Sequence, residues 1–229
     1  MAYIPKVKIC GMTNMADARD ALRQGADTLG FIFYEKSPRY IYPAAAKFLI
    51  YELRLTQDVI REFLSVKRNV IVTGVFVNED PVNVKKIVED VDIDLVQLSG
   101  NESLDYIEKL GIEKSLILKA VHIKDKADLD KIFLYKDAGV NVLADAFGGD
   151  GVFGGTGIRV NLDLLADIDM KDLILAGGID ENNVKDIMKS LKPYGFDLSS
   201  KIEYFPGKKN FDKLVLFFDN IRRTANEIA

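Results

Sequence analysis

K-V-K-I-C-G-M-T-N-M-A-D-A-R-D-A-L-R-Q-G-A-D-T-L-G-F-I-F-Y, residues 6–34, sets the pattern for the rest of the chain. Residues 6–10 form a short apolar run, and residues 28–34 form a second. Between them Met15, Ala18 and Leu22 fall on one face of a helix, with Asn14 placed to cap its start. Strands that read as near-continuous apolar runs are covered on both faces, as parallel strands are. A parallel pair needs a crossover, and the helix supplies it.

The same unit recurs along the chain. Further runs lie at 70–77, 93–98, 116–121, 140–144, 172–176 and 195–198. Helical stripes fall between them: Val84, Ile87, Val88 and Val91; Val184, Ile187, Met188 and Leu191; Phe211, Leu214, Val215 and Phe218. Asp80-Pro81 is a cap followed by a proline in the first helical turn. Eight strands alternating with eight helices over 229 residues predict one (β/α)8 TIM barrel spanning residues 1–229. Such barrels typically need roughly 250 residues. An open doubly wound sheet is the rival, but no G-x-G-x-x-G follows the first strand. Residues 43–69 make a long unit, read as an elaborated second helix in which 57–67 extends or repeats 43–55.

Composition narrows the setting. A net charge of −4 implies no polyanionic partner, so nucleic acid is not expected. No apolar run approaches the roughly 18 residues of a membrane span. No signal peptide is apparent at M-A-Y-I-P-K, and one cysteine suits a reducing compartment, so a cytoplasmic protein is expected. The only histidine, His122, has no cluster of metal-ligand spacing around it and reads as a rim residue. No metal or cofactor is expected, and no oligomeric state is read from the sequence.

In a barrel of this kind chemistry gathers where strands end and the following loops begin. Cys10 closes the first run, where a thiol is either a small core spacer or a working group. Arg39, in S-P-R-Y, is stiffened by Pro38 and suited to a carboxylate, or else is a solvated surface arginine. Asp145 ends V-N-V-L-A-D, as a helix cap, a salt-bridge partner or a general acid. Gly177-Gly178 and Ser199-Ser200 follow the last two runs, where barrels commonly bind phosphate through loop and helix N–H groups. One such motif alone would be a tight turn or a helix cap, whereas two at neighbouring strand ends point to phosphate. Six glycines between 148 and 157, Gly154 and Gly155 among them, suggest a lid that adds N–H donors.

Taken together these segments resemble phosphoribosylanthranilate isomerases. The resemblance is carried by K-I-C-G-M-T (8–13), L-G-F-I-F-Y-E-K-S-P-R-Y (29–40), G-V-F-V-N (74–78) and V-Q-L-S-G-N-E (96–102). It continues through D-A (145–146), G-G-T-G (154–157), L-A-G-G-I (175–179) and D-L-S-S-K-I-E (197–203). It implies a cofactor-free Amadori rearrangement of a phosphorylated small molecule, with Asp145 as general acid and Cys10 as general base. It also implies that Arg39 holds the substrate carboxylate, and that Gly154, Gly155, Gly177, Gly178, Ser199 and Ser200 hold the phosphate. The chain departs from the family pattern at Ser99, where histidine is usual, at Ile158, where lysine is usual, and at Lys201, where glycine is usual. Two other readings stay open. A related isomerase of histidine biosynthesis would need aspartate in place of Cys10. A non-catalytic phosphate-binding barrel would need neither Cys10 nor Asp145.

Overall fold

The computed structural model describes residues 3–146, 162–165 and 168–228. The opening unit folds as its pattern requires, into β1 (Lys6–Cys10), α1 (Met15–Gln24) and β2 (Thr28–Ile32). Asn14 caps α1 by accepting from the Asp17 N–H at 3.0 Å. Gly25 ends the helix in the left-handed region, φ 117°, where a side chain would be strained.

The chain continues through α2 (Pro43–Thr56), β3 (Arg61–Phe63), β4 (Val66–Arg68), β5 (Ile71–Phe76) and α3 (Pro81–Val91). Next come β6 (Leu95–Leu98), α4 (Leu104–Leu110), β7 (Ile117–Ile123), α5 (Leu129–Asp137) and β8 (Asn141–Ala146). The last part holds β9 (Leu173–Ala176), α6 (Val184–Ser190), β10 (Gly195–Leu198), β11 (Glu203–Phe205), β12 (Lys208–Lys209) and α7 (Phe211–Glu227). Eight parallel strands close into a barrel in the order β1-β10-β9-β8-β7-β6-β5-β2. These are the eight apolar runs of the sequence. Closure leaves no strand edge exposed, and the helices cover the outside. Their apolar stripes pack on the barrel: Val84 and Ile87 of α3, Val184 and Met188 of α6, and Leu214 and Phe217 of α7 are all buried.

One expectation falls partly outside the described residues, and one needs correction. The described residues hold seven α-helices, and between β8 and β9 the described helical piece is a 3-10 turn, Leu162–Leu165. The segment 57–67 does not prolong α2. It contains most of an antiparallel hairpin, β3 against β4, pairing Arg61 with Arg68 and Phe63 with Val66. Its turn is tight because Leu64 takes a left-handed conformation, φ 51°. V-I-R-E-F-L-S-V does not alternate, but its β-branched and aromatic residues are a strand propensity that the helix reading passed over.

This hairpin closes the bottom of the barrel. Phe63 is fully buried in a cluster with Ile71, Leu95, Leu118, Leu143 and Ile174, contributed by five barrel strands. Its ring meets Tyr194 edge-on, and the Tyr194 hydroxyl accepts from the Leu64 N–H at 2.7 Å. Burying a phenylalanine side chain contributes about 1.5–3 kcal/mol. The bottom of the barrel is therefore apolar and shut, which leaves the opposite end for chemistry.

Candidate active site

At the C-terminal ends of the strands lies a cavity lined by Cys10, Arg39, Asp145, Gly177, Gly178, Ser199 and Ser200, among others. Every site residue picked from the sequence and lying within the described residues meets there. Gly154 and Gly155, the 148–157 segment and Ile158 lie outside the described residues.

Cys10 ends β1 with its side chain turned inward. Alternation along the strand puts Lys8 on the same inner face, one step deeper. Lys8 is fully buried and pairs with Asp197 of β10 at 2.8 Å. Gly30 of β2 makes room for both: a Cβ there would lie 2.8 Å from Cys10 Sγ and 3.0 Å from Lys8 Nζ. Burial works to lower Lys8, but the charges of Asp197 and Cys10 outweigh it and hold the ammonium above its usual range. Burial pushes the Cys10 thiol up, with Lys8 as the main opposing influence and Lys209 a further one.

Arg39 sits 7% exposed at the rim. Its loop is fixed by Ser37, whose hydroxyl accepts from the Arg39 N–H at 3.2 Å and whose carbonyl accepts from the Tyr40 N–H at 3.0 Å. The guanidinium does not present an empty fork. Nε and Nη2 both donate to Glu203, at 2.9 Å and 2.7 Å to the same Oε2. Among the described residues this leaves Nη1 for a ligand. Glu203 also accepts from Lys209 Nζ at 2.7 Å, and Lys209 donates to the Cys10 carbonyl. Burial would raise Glu203, yet the two cations prevail and hold its carboxyl below the usual range. Gly11 serves this packing, since with φ 78° its absent Cβ would lie 2.6 Å from Arg39 Cδ.

The two serines after β10 do not cap a helix. Ser199 precedes a 3-10 turn, Ser200–Ile202, without a side-chain cap, and α7 is capped instead by Asn210. Ser199 Oγ is buried with no hydrogen-bond partner among the described residues. A buried hydroxyl left unpaired costs about 1–3 kcal/mol, which a bound anion would recover. Gly177 and Gly178 take φ 89° and 65° at the end of β9, a path glycine follows without strain. Lys201 adds an ammonium to the same wall.

Asp145, 8% exposed, ends β8 directly across from His122 of β7 in the strand register. His122, expected at the rim, is half-buried there. Its Nδ1 stands 3.7 Å from Asp145 Oδ2, and its Nε2 lies 3.1 Å from the Ser99 carbonyl. The resemblance leads one to expect an imidazole at Ser99; the chain's one imidazole stands beside it, from the next strand.

Sequence reading missed Lys8, Asp197, Glu203 and Lys209. Lys8 and Asp197 carried a usable signal, a charge at an inward-facing step of an otherwise apolar strand. Glu203 and Lys209 are brought in by the small β11–β12 hairpin, which pairs them directly.

Fold and site together define a (β/α)8-barrel enzyme with acid–base side chains gathered at the open ends of its strands. Residues 7–220 match the family model for N-(5'-phosphoribosyl)anthranilate isomerase, and the chain belongs to that family. It is similar to the N-(5'-phosphoribosyl)anthranilate isomerase of a Sulfurihydrogenibium species, 38% identical over 94% of this chain and 98% of the relative. Among solved structures it resembles the phosphoribosyl anthranilate isomerase of Thermotoga maritima. That match has a TM-score of 0.81 and 31% identity over 96% of this chain and 100% of that one. A further structure was solved in complex with reduced 1-(o-carboxyphenylamino)-1-deoxyribulose 5-phosphate. It matches at a TM-score of 0.77 and 31% identity, over 96% of this chain and 100% of that one.

Proposed function

We propose that Asp145 and Cys10 divide between them the chemistry of this isomerase, which acts in tryptophan biosynthesis. The reaction is the Amadori rearrangement of N-(5'-phosphoribosyl)anthranilate to 1-(2-carboxyphenylamino)-1-deoxyribulose 5-phosphate. Asp145 gives a proton to the ribose ring oxygen. The C1–O bond breaks as the nitrogen lone pair forms a Schiff base. Cys10, as thiolate, removes the proton on C2 to give an enolamine. Proton gain at C1 and loss from the C2 hydroxyl then yield the ketone. One proton enters from Asp145 and one leaves to Cys10, so substrate and product are isomers.

The observation that carries this reading is the placement of Cys10 and Asp145 on the wall of one cavity, at the ends of β1 and β8. The Nη1 of Arg39 faces the anthranilate carboxylate, and Gly177, Gly178, Ser199 and Ser200 hold the phosphate, with Gly154 and Gly155 as further donors. The base has to work as a thiolate although burial raises it. Lys8 beside its sulfur and Lys209 on its carbonyl are the cations that offset burial. Lys8, Arg39, Lys201 and Lys209 outnumber Asp197, Glu203 and the Cys10 thiolate by one positive charge, which suits a multiply anionic substrate. The cytoplasm is the compartment that a lone cysteine and a biosynthetic role fit.

The test follows the loss of anthranilate-type fluorescence with freshly made substrate. Cys10→Ser and Asp145→Asn should each lower kcat by about 10²–10⁴-fold, while circular dichroism shows the fold retained. Near-normal turnover by either variant would remove that residue from the role given to it.

A further inference from the structure

The imidazole of His122 stands where the chemistry of Asp145 makes it more than packing. Nε2 lies 3.1 Å from the Ser99 carbonyl oxygen, which can only accept. That contact fixes the tautomer with hydrogen on Nε2, leaving Nδ1 with a lone pair. Nδ1 is the atom turned to Asp145, 3.7 Å from Oδ2. A lone pair aimed at a carboxyl is favourable when the carboxyl is protonated and unfavourable when it is ionised. A general acid must be in that protonated form when substrate arrives. The separation is longer than a hydrogen bond, as catalytic contacts often are before ligand tightens them.

We propose that His122 is a positioning residue for the general acid: held by the Ser99 carbonyl, it presents Nδ1 to Asp145 and keeps a proton on that carboxyl. This rests on the acid role given to Asp145 above. The two groups share one exchangeable proton. When the ribose ring oxygen takes it from Asp145, Cys10 gives the proton drawn from C2 to solvent and solvent delivers one to Nδ1. The imidazolium then passes that proton to the Asp145 carboxylate, restoring the starting state.

The surroundings of the ring favour its neutral form. Burial lowers its proton affinity and Lys119 of β7 adds to this. The Ser99 carbonyl, Glu102 from the loop after β6 and Asp128 at the start of α5 act in the opposite direction, and the net effect is downward. Lys119 is itself held by Glu102 at 3.1 Å and by the Gly100 carbonyl at 2.7 Å, so its charge stays near the ring.

The pH dependence of kcat for wild type, His122→Gln and His122→Ala tests this. Gln keeps bulk and hydrogen bonding but carries no proton that titrates near neutrality. In both variants the alkaline limb should move down by about one pH unit, which is tenfold in the protonated fraction. kcat at pH 8 should fall about tenfold, KM should change less than twofold, and the acidic limb should stay in place. A mere packing role would lower activity in Ala, spare Gln and leave the limb unmoved; that result overturns the proposal. Asp145→Asn is measured alongside. If it keeps turnover, the acid role of Asp145 fails and His122 falls with it. If it is inactive while both His122 profiles match wild type, the failure is His122's alone.

Discussion

The two ends of the barrel are built on opposite principles. At the bottom, Phe63 and its aliphatic neighbours from five strands shut the barrel without a charge among them. At the mouth, Lys8, Asp197, Arg39, Glu203 and Lys209 are all nearly buried and mutually paired. Paired charges in such a place add little net stability, since desolvation consumes most of the Coulomb gain. The bottom is therefore where the fold gains stability, and the mouth is where stability is given up for a field that can hold anions and move protons.

The largest expected break in this division is Glu203→Ala. It leaves Arg39 and Lys209 buried without their shared carboxylate. Removing one partner of a buried ion pair costs about 3–5 kcal/mol, read as a lower midpoint in urea. kcat/KM should fall as well, because Arg39 loses the group that aims it. A milder form of the same test uses pH. The Glu203 carboxyl titrates below its unfolded value. Its contribution is thus present above the unfolded value, about 4.3, and is lost as pH falls through the depressed folded one. Wild type should lose stability over that acid window, and Glu203→Gln should lose less.

Phe63→Ala probes the other end. Truncating a buried phenylalanine costs about 3–5 kcal/mol, so the thermal midpoint should drop by several degrees, roughly the 2–4 °C per kcal/mol expected for a chain of this length. kcat, measured well below that midpoint, should stay within about twofold of wild type. A tenfold loss of kcat would show that the two ends are coupled.

Ser199→Ala should have the smallest effect on stability. Its hydroxyl has no partner to lose among the described residues, so stability should hold or rise slightly. A hydrogen bond to a charged ligand is worth about 1.5–3 kcal/mol, so KM should rise at least tenfold with kcat little changed. An unchanged KM would take Ser199 out of the phosphate site.

The sequence by itself determined the barrel, because eight apolar runs separated by helical stripes admit few other closures. It also placed Cys10, Arg39, Asp145, Gly177, Gly178, Ser199 and Ser200 at one mouth, since strand ends in a parallel barrel all point the same way. Only the tertiary structure decided what surrounds them. Residues 61–68 suit helix or strand because local propensity there is ambiguous, and docking on the barrel floor settles it. Glu203 reaches Arg39 across 164 positions of sequence. His122 meets Asp145 only because β7 and β8 pair in that register. Partners so distant leave no periodic trace in a chain. Their charges become legible once closure has buried them together and each must find a counter-charge or a hydrogen bond.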